Sequence, residues 1–276
     1  MIKIDFKNNQ IDFWKTITFS KQKKIPVYDI LKQAYDQKVL SDLNDELLFK
    51  FIEHIKNLNN QPYSQIFQDI FAYFIVANNY DKTFFEFGAT NGKSLSNTFM
   101  LEKELGWSGA LAEPDIQWIE ALKKNRPNTK IITKCIWKSS EDKLNFFSSD
   151  QGVLSTLEKF KYNDSESMPG NTNQRNKSGR NITVETISLN DVVKHYFKGI
   201  CPSYISVDTE GSEFEVLNSF NFSDYRPVVF TVEHNFTKTQ MQIDELMRRN
   251  NYSRIFKQLT VFDAWYVSNE ALNSIL

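Results

Sequence analysis

The sequence lacks the features that mark several common classes of protein. It has only two cysteines, Cys135 and Cys201, too far apart to suggest a zinc cluster or a disulfide framework, so we expect a reducing compartment. Its 33 basic and 34 acidic residues give a formal net charge of -1, without the one-signed field of nucleic-acid-binding proteins. No apolar stretch approaches the roughly 20 residues that span a bilayer, and the N-terminus lacks the apolar segment of a signal peptide. We therefore expect a cytoplasmic globular protein with no nucleic-acid partner and no transmembrane segment.

The chain has enough apolar residues for a sizeable core, since they make up 41% of its 276 residues. Apolar positions at helical spacing predict an N-terminal helical extension over residues 1–63, and Ser64 is the predicted N-cap of the next helix. Beyond it, short apolar strands alternate with helices. The predicted strands include Phe84–Phe87, Gly109–Ala112 and Lys130–Ile136, and the predicted helices include Ser94–Leu105 and Ile116–Asn125. This alternation predicts an α/β fold for residues 64–276 with a mostly parallel sheet covered on both faces. Two runs rich in aromatic and β-branched residues, Tyr252–Gln258 and Thr260–Val267, predict a closing antiparallel hairpin.

The segment Phe84-Phe85-Glu86-Phe87-Gly88-Ala89-Thr90-Asn91-Gly92 predicts a ligand site where a strand turns into a helix. Gly88 and Gly92 lack the Cβ atom that would keep a ligand away from the backbone. Their spacing is not the G-x-G-x-x-G that seats a pyrophosphate, and the carboxylate of Glu86 would repel phosphate and attract a cation. S-adenosylmethionine carries two cationic groups and no phosphate, and Glu113, 21 residues after Gly92, could bind its ribose hydroxyls. Together these features favour S-adenosylmethionine, although the glycine pair alone would also suit a tight turn in any α/β protein.

A long polar segment from Glu158 to Asn181 interrupts the alternation of strands and helices. A loop of that length is uncommon inside a compact domain unless it is functional or disordered. We interpret residues 158–181 as a mobile lid near the ligand. The alternative is an untethered surface insertion.

Two further groups of polar residues follow predicted strands. Asp208-Thr209-Glu210-Gly211 follows Tyr204–Val207, and Glu233-His234-Asn235 follows Val228–Val232. Ligands in open α/β sheets lie beyond the carboxyl ends of the strands, so adjacent parallel strands would bring both groups beside the glycine turn. The alternative for each group is that it only caps the helix that follows.

These two groups contain the candidate catalytic residues. Methyl transfer to a hydroxyl needs a group that takes the hydroxyl proton, and His234 is the predicted acceptor because an imidazole titrates near pH 6.5. Asp208 and Glu210 would orient this histidine, act as bases themselves, or hold a divalent cation together with Glu233. Carboxylates do suit magnesium or calcium, but the sequence fixes no coordination geometry, so we predict no metal site.

The chain resembles the FkbM family of S-adenosylmethionine-dependent methyltransferases, because several separate sequence blocks occur in the order that this family has. The resemblance extends from about Tyr63 to Val267 and leaves the first 60 residues uncovered. It implies the seven-stranded, Rossmann-like class I methyltransferase fold and, in most members, O-methylation of a hydroxyl on a sugar or a secondary metabolite. The blocks that carry it are Ser64-Gln65-x3-Gln68-Asp69, Phe84 to Thr98, Leu101-Glu102-x2-Leu105-Gly106-Trp107-x-Gly109, Glu113-Pro114, Val207 to Leu217 and Val232 to Asn235.

The resemblance also implies which residues bind the cofactor. The glycine turn with Glu86, which stands where the family more often has aspartate, would surround the amino-acid end, and Glu113 would hold the ribose hydroxyls. Ile136 and Trp137 would border the adenine, although a small residue is expected in place of Trp137, and Ser155 would lie in a small-residue loop facing the cofactor. The predicted cofactor-binding residues are Glu86, Gly88, Ala89, Asn91, Gly92, Ser94, Glu113, Pro114, Ile136, Trp137, Ser155 and Asp208, and the predicted catalytic residues are His234, Asp208 and Glu210.

Three hypotheses about function follow from the sequence. The leading one is an O-methyltransferase that acts on a sugar hydroxyl in a surface glycan or its precursor. The second is a catalytically silent scaffold that keeps the methyltransferase fold and binds a partner through residues 1–60. The third is a methyltransferase that acts on a secondary metabolite, an amine or a lipid head group. The sequence determines neither the acceptor nor the oligomeric state.

Overall fold

A computed structural model of the chain describes residues 27–36, 38, 40, 45–58, 62–76, 79–150, 152–163, 172–173, 175, 178–260 and 262–276. The first 26 residues of the predicted extension and residues 164–171 of the predicted lid lie outside the described residues. None of the helices in the described ranges is long and apolar enough to cross a membrane.

Strands and helices alternate through most of the described chain, and both are numbered here in chain order. The strands are β1 (Thr83–Phe87), β2 (Ser108–Ala112), β3 (Lys130–Ile132), β4 (Cys135–Trp137), β5 (Lys143–Ser149), β6 (Thr156–Leu157), β7 (Gly179–Ser188), β8 (Tyr204–Val207), β9 (Val229–Glu233), β10 (Tyr252–Ile255) and β11 (Asp263–Ser268). The helices are α1 (Val27–Asp36), α2 (Asp45–Lys56), α3 (Gln68–Val76), α4 (Phe99–Lys103), α5 (Ile116–Asn125), α6 (Leu189–Tyr196), α7 (Glu213–Asn218), α8 (Gln240–Arg249) and α9 (Asn269–Ile275).

The larger sheet of the described residues has seven strands in the order β10-β11-β9-β8-β1-β2-β3. The strands from β9 to β3 pair in parallel, while β11 pairs antiparallel with both β9 and β10. The mostly parallel sheet of an α/β fold is therefore confirmed. Strand β1 lies between β2 and β8, so the chain leaves β1 towards one edge and later returns on its other side. Such a switch point is where open α/β sheets bind ligands.

The smaller sheet of the described residues was missed by the sequence analysis. It has the order β4-β7-β5-β6, and the long strand β7 pairs antiparallel with β5 and in parallel with β4. The single strand predicted over Lys130–Ile136 is divided between the two sheets, as β3 and β4. The smaller sheet brings apolar side chains of β5 and β6 towards the end of the parallel strands.

Two helices begin later than the sequence predicts, because side chains near their starts make other hydrogen bonds. Ser64 is not an N-cap: it forms an isolated β-bridge with Leu95, and its Oγ donates to Oδ1 of Asp69 at 2.6 Å. Helix α3 accordingly begins at Gln68. The helix predicted from Ser94 begins at Phe99, because the residues before it bind a buried carboxylate described below.

Helices α2 and α3 share an aromatic core with the sheet. The ring of Phe51 in α2 stacks on Phe256 with centroids 5.2 Å apart, and Phe71 in α3 stacks on Trp265 of β11 at 4.4 Å. All four side chains are buried. The described part of the N-terminal extension therefore packs against the same core as the C-terminal strands.

Candidate active site

Four parallel strands end in register at one edge of the larger sheet. Phe87 of β1 lies opposite Ala112 of β2 and Val207 of β8, and Val207 lies opposite Val232 of β9. The residues that follow in this register are Gly88, Glu113, Asp208 and Glu233. Three carboxylates and a glycine turn therefore stand side by side where ligands of open α/β sheets bind.

A cavity of about 430 Å³ opens at this edge, which is within the usual size range of small-molecule sites. Among the described residues that line it, five are acidic and one, Lys134, is basic. The remaining lining includes apolar side chains of the smaller sheet and of the loop between β5 and β6, namely Ile136, Phe146, Leu154 and Leu157. This charge balance suits a cationic or polar ligand and disfavours a pyrophosphate.

Glu86, at the end of β1, organises the loop that precedes α4. Its Oε2 accepts hydrogen bonds from Ser96 Oγ at 2.8 Å and from Thr98 Oγ1, and its Oε1 accepts from the backbone N–H of Asn97 at 2.8 Å. Burial raises the pKa of Glu86, and the guanidinium of Arg126 opposes that rise. Glu86 lines the cavity, but most of its hydrogen-bonding capacity holds this loop in place.

Arg126 lies just after α5 and places a positive charge beneath the loop that precedes α4. The sequence analysis missed this residue. It is fully buried and forms an ion pair with Glu102. Its Nη1 donates to Gly92 O at 3.0 Å, and its Nη2 donates to Thr98 Oγ1 at 3.1 Å. A buried guanidinium with these partners fixes both ends of the turn between β1 and α4.

The two glycines of this turn make room for protein atoms. A Cβ atom on Gly88, whose φ is +80°, would lie 1.9 Å from the carbonyl oxygen of Asp208. On Gly92, whose φ is +70°, it would lie 2.4 Å from the side chain of Leu122 and 2.9 Å from that of Arg126. The space that the missing Cβ atoms leave is therefore taken by protein atoms, while Gly88 also lines the cavity. Glycine is required here by the positive φ and by close packing inside the chain.

Glu113, at the end of β2, is buried and faces the cavity. Its Oε2 accepts from the backbone N–H of Thr90 and its Oε1 from that of Asp115, both at 2.8 Å. Burial raises its pKa to about 7. Because each carboxylate oxygen has a second lone pair, Glu113 can still accept hydrogen bonds from a bound diol.

The acids at the ends of β8 and β9 form a cluster of Asp208, Glu210 and Glu233. One carboxylate oxygen of each lies within 4.8 Å of the others. Burial raises the pKa of Asp208 to about 8, and burial followed by the charge of Asp208 raises the pKa of Glu233 well above its usual range. At neutral pH this pair therefore retains a proton.

His234 turns away from the large cavity. Its Nδ1 accepts the backbone N–H of Phe236 at 3.0 Å, and its Nε2 lies 2.9 Å from the carbonyl oxygen of Asp263. Burial, followed by the charge of Arg254, lowers its pKa to about 4. Both ring nitrogens thus bond to the backbone, and the structure does not support the prediction that His234 takes the acceptor proton.

One described residue of the segment 158–181 reaches the cluster of acids. Arg175 is buried, and its Nε donates to Leu154 O at 2.8 Å. Its Nη2 donates to Glu210 Oε2 at 2.6 Å in an ion pair. The segment is therefore attached beside the cavity at Arg175, while the prediction that it moves as a lid remains a prediction.

The chain matches the family model of the methyltransferase FkbM domain over residues 86–254, which is more than half of its length. It belongs to the FkbM methyltransferase family. Among solved structures it is similar to the crystal structure of methyltransferase FkbM from Methylobacillus flagellatus KT, with 14% sequence identity and a TM-score of 0.44. That likeness covers 89% of this chain and 59% of the other, so the chain spans less than two thirds of that protein. No curated protein matches the sequence.

The structure of this FkbM family member separates the predicted site residues into two groups. Asn91 and Gly92 do not line the cavity, and Oδ1 of Asn91 instead accepts the backbone N–H groups of Lys93 and Ser94. Trp137 does not line it either, because its ring lies under Lys159, whose Nζ is 3.9 Å from the ring centroid. The predicted residues that do line the cavity are Glu86, Gly88, Ala89, Ser94, Glu113, Pro114, Ile136, Ser155, Asp208 and Glu210.

Proposed function

We propose that this FkbM family member is an S-adenosylmethionine-dependent O-methyltransferase with a class I methyltransferase fold, acting on a sugar hydroxyl of a surface glycan or its precursor. The observation that carries the proposal is the row of Gly88, Glu113, Asp208 and Glu233 at the ends of four parallel strands. A cavity with five acids and one lysine at that edge supports a cationic cofactor that lacks phosphate.

The residues present fit S-adenosylmethionine, which would supply an electrophilic methyl group on a sulfonium. Glu113 would accept hydrogen bonds from the two ribose hydroxyls, since its oxygens retain acceptor capacity. The apolar side chains of Ile136, Phe146 and Leu154 lie on the same cavity and would surround a flat adenine ring. The buried negative charge at Asp208 and Glu233 would stabilise the cationic end of the cofactor.

Asp208 replaces His234 as the proposed proton acceptor. Methyl transfer to a hydroxyl forms a carbon–oxygen bond, breaks the bond from methyl to sulfur, and releases the hydroxyl proton to a base. Asp208 lines the cavity, and its pKa of about 8 makes it a stronger base than an ordinary carboxylate. General-base assistance of this kind contributes about 10²–10⁴ in rate.

The mouth of the cavity supports a sugar as the acceptor. Leu95, Val153 and Phe236 are all exposed large apolar residues, yet all line the cavity. The amide of Asn235 and the carboxylate of Glu210 lie on the same lining. A sugar ring offers apolar C–H faces to the first group and hydroxyls to the second.

Two measurements test the proposal on the full chain. Calorimetric titration with S-adenosylhomocysteine should give saturable binding, and incubation with S-adenosylmethionine and surface glycan or its precursors should add the mass of one methyl group. A folded sample that does not bind S-adenosylhomocysteine would contradict the proposed cofactor. Binding without transfer to any glycan, amine, lipid or metabolite acceptor would favour the silent scaffold.

We expect the methyl-transfer rate to increase with pH from about 6.5 and to level off above about 8.5. The raised pKa of Asp208 means that this carboxyl is mostly protonated at pH 7, and it must lose its proton before it can accept one. The expected gain between pH 7 and pH 9 is about tenfold. A pH profile of kcat/KM measures this gain. A profile that is flat over this range, once the effect of pH on cofactor affinity is taken into account, would exclude Asp208 as the base.

Replacing His234 with glutamine should affect stability more than catalysis. The imidazole bonds to the backbone of Phe236 and Asp263, so its loss should lower the free energy of unfolding by about 1–3 kcal/mol. We expect kcat to stay within about threefold of the wild type, whereas Asp208→Asn should lower it by about 10²-fold or more. Thermal unfolding and steady-state kinetics on both variants give the comparison. A hundredfold loss in a His234→Gln protein of unchanged melting temperature would restore the histidine as base.

A further inference from the structure

The cluster of Asp208, Glu210 and Glu233 offers more oxygen ligands than one proton acceptor requires. Asp208 and Glu210 come from the turn after β8, Glu233 is the last residue of β9, and one oxygen of each lies within 4.8 Å of the others. Asp208, Glu210 and Glu233 also line the large cavity, so an ion among them would be in contact with a bound ligand. The three carboxylates are therefore close together, offer oxygen ligands and can be reached from the cavity.

A second observation is independent of this clustering. Oε2 of Glu233 is buried and has no hydrogen-bond partner among the described residues, and the whole side chain is only 9% exposed. Leaving a buried carboxylate oxygen unsatisfied is costly, so such atoms call for a ligand. Glu233 and Glu210 also border a second void of about 10 Å³, about the space of one water molecule or ion.

The surrounding charges leave the cluster negative. Asp208, Glu210, Glu213 and Asp263 place further carboxylates around Glu233. Of the three clustered acids, Glu210 forms an ion pair with the guanidinium of Arg175. The remaining repulsion can be relieved by a proton held between Asp208 and Glu233 or by a cation.

We propose that Asp208, Glu210 and Glu233 bind a divalent cation of the magnesium and calcium class beside the cofactor cavity. Carboxylates without nitrogen or sulfur ligands favour these hard cations over zinc or copper. Calcium, with oxygen distances of about 2.3–2.6 Å, can bridge oxygens up to about 5 Å apart, and magnesium, at about 2.1 Å, would draw them closer. The four lone pairs of Glu210 allow it to bind the ion and keep its hydrogen bond to Arg175.

The binding of the ion does not depend on the proposed methyl transfer. Its role in the reaction, however, rests on that proposed function. An ion at the cluster would replace the proton held by Asp208 and Glu233, so the pH dependence expected for Asp208 as the base applies to the ion-free protein. It would bind an acceptor hydroxyl through oxygen and make that hydroxyl more acidic. The cation and the cofactor can therefore be tested separately.

The test uses the full chain after treatment with a chelator and removal of it, without any cofactor. Calorimetric titration with magnesium chloride, calcium chloride or manganese chloride at constant ionic strength should show saturable binding of one ion, and the melting temperature should rise with its concentration. In Glu233→Gln the affinity should fall at least tenfold. The ion-free variant should melt at the same temperature as the wild type or higher, because it removes a repelled buried charge.

The matched control is Glu120→Gln, which makes the same change at an exposed position of α5 and should bind the ion like the wild type. Absence of saturable binding to the wild type, or equal binding to Glu233→Gln, would overturn the proposal and leave a shared proton as the explanation of the cluster. A parallel titration with S-adenosylhomocysteine separates the two proposals. Cation binding without S-adenosylhomocysteine binding would support the ion site and contradict the proposed function, and the opposite result would overturn the ion site alone.

Discussion

Replacing Glu113 with alanine should weaken the binding of S-adenosylhomocysteine about a hundredfold or more. The proposed hydrogen bonds from the two ribose hydroxyls end on a buried carboxylate, where each bond to a charged group contributes about 1.5–3 kcal/mol. The loss of both corresponds to at least the roughly 2.8 kcal/mol of a hundredfold change in affinity, at about 1.4 kcal/mol for each factor of ten. Calorimetric titration of wild type and variant measures the effect.

Two further variants separate this role from a structural one. Glu113 also accepts backbone hydrogen bonds from Thr90 and Asp115, so its loss loosens the turn after β1. Glu113→Gln keeps one acceptor oxygen and should lose about tenfold in affinity, while Glu120→Ala on the surface of α5 should lose none. If Glu113→Ala binds S-adenosylhomocysteine as tightly as the wild type, the proposed position of the ribose is wrong.

Replacing Arg126 with methionine should have the largest effect on stability, about 3–5 kcal/mol. The substitution keeps apolar volume but leaves the buried carboxylate of Glu86 without its positive partner, and it removes one of the two cations that pair with Glu102. For a protein of this size the loss corresponds to a fall of about 10 °C in melting temperature. Thermal and urea unfolding of the two proteins measure it.

The control is Arg248→Met, which removes an arginine that also pairs with a glutamate, but on the exposed face of α8. Solvent screens that pair, so its melting temperature should not change measurably. Adding Glu102→Gln to Arg126→Met should recover part of the lost stability, because it removes a largely buried charge that has lost its arginine partner. Equal melting temperatures of Arg126→Met and wild type would show that the guanidinium does not support the turn.

The sequence predicts the parts of this fold that depend on local patterns. The alternation of apolar runs and helices indicates the parallel strands, and the helix over Ile116–Asn125 was predicted to the residue because Asp115 caps it locally. The parallel order also explains why Glu113 and Asp208 were predicted to lie at one edge. The order of adjacent parallel strands can be inferred without knowing any contact between distant residues.

What the sequence could not predict depends on contacts between distant residues. Arg126 lies 40 residues after Glu86, and nothing in its local pattern indicates that it is buried. The strands β5 and β6 were missed because their register is fixed by pairing, of β5 with β7 and of β6 with β5, and not by an alternating pattern. His234 was predicted as a base from its residue type, whereas its burial and backbone hydrogen bonds follow from the packing of β11.

The aromatic contacts of α2 bear on how the enzyme domain can be produced. The family match begins at residue 86, which invites removal of the preceding residues as a dispensable appendage. Phe51 contacts Phe71, Phe256 and Trp265, and its removal would leave these rings facing water on one side of the sheet. A shortened protein would then expose a hydrophobic patch and would be prone to aggregate during expression. The helices before the matched region therefore belong in any protein that is prepared for assay.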